Sequence, residues 1–122
     1  MKYHTFTPED FLLFEKVVHD FMQKLEITGW ELELRQEQVG GGTCAELDYN
    51  IVARKALIRL TVNVEYDYAI ITDIVKLAKH EVLHLLLAVF CWTAAEQRDH
   101  CSDAVISREH EVINRLMKVC HE

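Results

Sequence analysis

No stretch of this sequence stays apolar for the roughly 18 residues that a membrane-spanning helix needs, so a bilayer span is excluded. The opening "MKYHTFTPEDF" lacks the apolar centre of a signal peptide, and the expected location is therefore the cytoplasm. Cations are also in short supply. Thirteen Lys and Arg stand against twenty Asp and Glu, a net charge of -7, which argues against a nucleic-acid binder held by phosphate contacts. The four cysteines, Cys44, Cys91, Cys101 and Cys120, show no CxxC spacing and read as small buried hydrophobes in a reducing compartment. Repeats, low-complexity runs and linkers are absent, so residues 1–122 are expected to form a single compact domain. Gly40, Gly41 and Gly42 are followed by no GK[ST], which excludes a phosphate-binding loop; a hairpin turn is expected there instead.

What is present reads as an α+β fold. In "TPEDFLLFEKVVHDFMQKLEITG", Thr7 can cap a helix, Pro8 suits its first position and Asp10 its first turn. Phe11, Phe14, Val17, Val18, Phe21, Met22 and Leu25 make one apolar stripe at helical spacing, with His19 left on the surface and Gly29 as the expected stop. "WELELRQEQV" alternates, with Trp30, Leu32 and Leu34 on one face and Glu31, Glu33 and Arg35 on the other. "TCAELDYNIVA" and "KALIRLTVNV" supply two further strands, completing a small antiparallel three-stranded sheet. A second helix is expected over "TDIVKLAKHEVLHLLLAVFCWTAAE", capped by Thr72. It is apolar on all sides from Val82 to Phe90 and hence buried in the domain centre. "AVISREHEVINRLMKVC" makes the C-terminal helix.

Chemistry is concentrated in "KHEVLHLLLAVF", residues 79–90. At about 100° per residue, His80 and His84 lie on one face of the second helix, where two imidazoles can reach a single tetrahedral cation. Glu81 falls on the adjoining flank, placed to take a proton from a water that zinc has made more acidic. An uncompensated polar pair on so apolar a helix would cost on the order of 2–7 kcal/mol per group, and a metal ion removes that cost.

A catalytic zinc site wants a third protein ligand and an open fourth position. The extended HExxHxxGxxH form is missing, because Leu87 and Phe90 stand at its glycine and histidine positions. The last helix offers "REHE". On a helical wheel Glu109 sits near the centre of an apolar face made by Val105, Ile106, Val112, Ile113, Leu116, Met117, Val119 and Cys120. His110 borders that face, and Glu111 points to water beside Arg108 and Arg115. A carboxylate in a core stripe is rarely buried unless paired. Zinc would pair it; so would Arg59, Arg54 or Lys76.

HEVLH followed 24 residues later by Glu109 on a second helix resembles the gluzincin clan of zinc metallopeptidases. The order of helix, small sheet, HExxH helix and glutamate helix is similar to its minimal, single-domain members, the minigluzincin-like and phage-encoded forms. That resemblance implies zinc held by His80, His84 and Glu109, with Glu81 as general base and later proton donor. It also implies a peptide or protein substrate added as a strand along a sheet edge, for which "ALIRLTVN" is the expected edge. Larger gluzincins carry an aspartate four residues after the ligand glutamate, where this chain has Ile113. A transition-state-stabilising His or Tyr is not assigned; His100, His110, Tyr66 and Tyr68 are the candidates. The competing reading is a zinc-stabilised binding or regulatory protein without turnover, of the kind a phage uses against a host protein, and such a protein has no need of Glu81.

Overall fold

The structure is a computed structural model that describes residues 2–67, 69–97 and 102–119, with side chains described outside 92–97 and 102–106. It is α+β: three helices, a two-stranded sheet and a three-stranded sheet. In chain order these are β1 (Lys2–Thr5), α1 (Pro8–Lys24), β2 (Glu31–Gln36), β3 (Ala45–Asn50), β4 (Lys55–Leu60), β5 (Asn63–Tyr66), α2 (Ile74–Gln97) and α3 (Ser102–Val119).

Helix α1 begins as its sequence dictates. Thr7 Oγ1 accepts from the Asp10 N–H, and the Asp10 carboxylate accepts from the Thr7 N–H, a closed capping box with Pro8 just inside it. Phe14, Val18, Phe21 and Met22 turn into the core, and His19 is exposed. The end comes earlier than Gly29. Glu26 takes a left-handed φ of 57°, Ile27 N–H reaches Met22 O and Glu26 N–H reaches Gln23 O, the paired bonds that close a helix terminus.

The three-stranded sheet has the order β2-β4-β3, with β4 antiparallel to β3 and parallel to β2. The alternation in β2 holds, with Leu32 and Leu34 on the inner face and Glu31, Glu33 and Arg35 outside. The expected glycine hairpin does not form, because β4 lies between β2 and β3. Residues 37–44 instead carry the chain over the end of β4 to the far edge. Gly41 and Gly42 adopt φ of 72° and 70° there, and a Cβ on Gly42 would come within 3.5 Å of the Glu65 carbonyl. Thr61 fastens this crossing: its N–H donates to Cys44 O, and its hydroxyl accepts from Val39 N–H and donates to Asn63 O. Thr61 is fully buried, and it divides "KALIRLTVNV" into two strands. β5 turns away to pair antiparallel with β1, a strand the sequence reading did not contain. The strand "ALIRLTVN", expected at an edge, is thus the centre of its sheet, and β3 is the edge strand that packs on α2.

Helix α2 starts one residue later than expected, with the Asp73 carboxylate accepting from Lys76 N–H. It packs against α1 on one side and α3 on the other. Val82, Leu83, Leu85 and Ala88 are buried with Phe14, Ile58, Leu60 and Ile113 in one core, whereas Leu86, Val89 and Phe90 are exposed, so its apolar surround is buried on one side only. Among the described residues no helix is long and apolar enough to cross a membrane.

Candidate metal centre

Two turns of α2 and one of α3 build the site. His80 and His84, one turn apart, present their Nε2 atoms to each other at 3.1 Å. On the other side of the His84 ring, Nδ1 lies 2.6 Å from Glu109 Oε2. A carboxylate accepts, so His84 carries a proton on Nδ1, while its Nε2 faces His80. His80 is held neutral near physiological pH: burial, followed by the neighbouring His84 and His110, pushes its pKa down to about 4.

Helix α3 meets α2 along a seam that consecutive residues straddle, since a 100° step puts Glu109 on one side of it and His110 on the other. Glu109 reaches behind His84. His110 stands over the two α2 imidazoles, its ring centroid 4.9 Å from that of His84 and 5.9 Å from that of His80. One nitrogen from each of His80, His84 and His110 can be chosen so that all three lie within 4.8 Å of one another. The Glu109 side chain is 13% exposed, and its carboxylate acts on the Cys91 thiol as well as on His84. Burial and that carboxylate push the Cys91 pKa up to about 11.

Glu81 follows His80 on α2 and is buried. It is 6% exposed, and burial, then Glu46 and Glu109, push its pKa up to about 7. Together with His80 it walls a cavity of about 710 Å³, whose other sides include Cys44, Ala45, Asn114 and Met117. Ile113, at the position where larger gluzincins carry an aspartate, is wholly buried core. Glu111 lies outside the site, bonded to Arg108 and Arg115 at 2.9 Å each. Val112 and Val119, placed on the apolar face by the wheel, are exposed.

Of the residues singled out from sequence, His80, His84, Glu109 and His110 therefore come together, and Glu81 shares a cavity wall with His80. Arg59, a possible ion-pair partner for Glu109, bonds instead to Glu37, Glu46 and Asp48. Tyr66 pairs with Lys2 in the β1–β5 sheet. Tyr68, His100, Cys101 and Cys120 lie outside the described residues. Cys91 as a neighbour of Glu109 was not read from sequence. Its spacing of seven from His84 puts both on one side of α2, which is the only signal that could have found it.

The donor set suits a borderline transition metal such as zinc. Zinc–nitrogen bonds of about 2.0–2.1 Å in a tetrahedron set two donors roughly 3.3 Å apart, close to the separation of the two Nε2 atoms. A carboxylate on the outer nitrogen of a ligating histidine is the usual partner that fixes its tautomer. Without an ion, the same 3.1 Å contact is a hydrogen bond between the two rings, its direction set by their tautomers. Comparison with known proteins gives no matching family model, no matching curated protein and no matching solved structure.

Proposed function

We propose that this chain is a zinc-dependent hydrolase acting on peptide bonds, a metallopeptidase of the gluzincin type reduced to a single compact unit. The observation that carries the reading is the convergence of His80 and His84 Nε2 beside Glu81, a buried carboxyl on the wall of the adjoining cavity. The sequence reading gave the third ligand position to Glu109. The geometry favours His110 for that position, with Glu109 holding His84 from behind.

Bound there, zinc would supply Lewis acidity and lower the pKa of a water towards 7. Glu81 would accept the proton of the attacking water and return it to the leaving amine, a task suited to a carboxyl whose pKa lies near the working pH. Glu109 would keep His84 in the tautomer that leaves Nε2 free. A peptide would lie along the free edge of β3, which flanks the cavity at Cys44 and Ala45.

The test begins with metal analysis of untagged protein purified without added zinc, which should contain a single zinc per chain. Glu81→Gln should keep that zinc and lower hydrolysis of a labelled protein mixture by about 10²–10⁴-fold. Zinc below about a tenth of an equivalent, not restored by adding the ion, would defeat the metal centre itself. Full activity in Glu81→Gln at equal zinc would defeat its role as base. Zinc retained with no hydrolysis by wild type would leave a metal-stabilised binding protein.

A further inference from the structure

The cavity beside His80 and Glu81 has a charge pattern opposite to that of the chain. Lys76, Lys79 and Lys118 line it, against Asp73 and Glu81, in a protein with a net charge of -7. These groups are not equivalent. Asp73 is engaged in capping α2, and the Lys79 ammonium lies 5.3 Å from the centroid of the Phe21 ring, on the α1 side. Lys76 and Lys118 are exposed, and among the described residues neither makes an ion pair.

Their positions follow from helix geometry. Lys76, His80 and His84 recur at four-residue spacing along α2, and His110, Asn114 and Lys118 do the same along α3. Both rows have histidines at the metal end, and both end in lysine at the wall of the cavity. One step of four residues rises about 6 Å, nearly the length of two residues of extended peptide. A substrate bond over the histidines therefore brings a nearby side chain level with Lys76. Local energetics do not explain that lysine. It stands in the first turn of α2, at the positive end of the helix dipole, with no acidic residue in that turn. Lys118, in the last turn of α3, is on the favourable end of its own helix.

We infer that the cavity takes the acidic side chain, aspartate or glutamate, of a peptide whose neighbouring bond lies over the histidine cluster. Its apolar wall, including Ala45, Val75 and Met117, would take the stem, and Lys76 and Lys118 would take the carboxylate. The inference rests on the hydrolase reading for the fate of the peptide and stands apart from it for binding.

Three randomised peptide mixtures, with a fixed Glu, Gln or Lys at the centre, separate the two. Binding is measured on the full-length, zinc-loaded Glu81→Gln protein and cleavage on wild type. The Glu mixture should bind about tenfold more tightly than the Gln mixture, at the low end of what a cleft of one charge sign provides. The preference should shrink as salt rises from about 0.05 to 0.5 M. Lys76→Gln with Lys118→Gln should abolish it, and Lys76→Glu with Lys118→Glu should turn it towards the Lys mixture, at unchanged zinc content and melting temperature. Equal binding of the three mixtures, or a preference that survives both double variants, overturns the inference. Cleavage that needs zinc and Glu81 but ignores charge defeats the inference alone. Charge-selective binding with no cleavage by wild type defeats only the hydrolase reading.

Discussion

Two clusters of ionisable side chains, one around Arg59 on the three-stranded sheet and one between α2 and α3, solve the problem of polarity differently. On the outer face, Arg59 donates to Glu37 at 2.6 Å, Glu46 at 2.8 Å and Asp48 at 2.5 Å. Those carboxylates keep 40–66% of their side-chain surface, so water screens whatever the single guanidinium leaves uncompensated. The three acids hold the Arg59 pKa above its usual value, and the group stays charged at every pH of interest. Each member of this cluster is accounted for by its neighbours. In the second cluster, the His84 and Glu109 side chains are 17% and 13% exposed, and Glu81 is nearly buried. His84 bonds to Glu109 on one side and to His80 on the other. Solvated ion pairs are inexpensive structure, whereas buried ionisable groups carry a desolvation cost that only well-placed partners offset.

Removing one member from each cluster should make the contrast measurable. The largest effect is expected for His84→Ala and His110→Ala. Each should lower zinc affinity, measured by competition with a chelator, by more than about 100-fold, beyond what losing an outer partner costs. A smaller loss, about 10–100-fold with zinc still bound, is expected for Glu109→Ala, because the carboxylate orients His84 without needing to touch the ion. If Glu109→Ala releases the metal while His110→Ala keeps it, the ligand set is His80, His84 and Glu109, and His110 is free for the substrate.

Arg59→Met should leave zinc affinity unchanged and lower the melting temperature only slightly. That small loss should fade as salt rises, the signature of a solvated network. A large loss of zinc in this variant would show that the two clusters are coupled. Least of all should follow from Glu111→Ala, within about 0.5 kcal/mol in denaturant unfolding, since the residue only bridges Arg108 and Arg115 on the surface of α3.

The local features of α1, α3 and β2 were legible because they depend on neighbours within a turn or two. Thr7 and Asp10 close the capping box, the α1 stripe packs inward, and Glu111 sits between its two arginines as the wheel requires. Glu26 was not legible as a helix end. A left-handed residue without glycine is held by the two backbone bonds around it, and no side chain signals them. The break at Thr61 was hidden for a related reason. Its alternation with Leu60 and Val62 reads as strand, but its hydroxyl is spent on Val39 and Asn63, residues on either side of a crossing that only the folded chain creates.

The sequence by itself determined the two-imidazole face of α2 and the acid beside it, because helical periodicity fixes the relative directions of residues one turn apart. It also determined that α3 would bring a polar pair to an otherwise apolar face. Which of that pair meets the ring nitrogens was left to tertiary structure, since the offset of α3 against α2 decides it. The sheet order is of the same kind. Strand alternation names the inner residues of β2 but is indifferent to which strand lies between the others. Placing β4 at the centre made β3 the edge strand that packs on α2, the helix that carries His80 and His84.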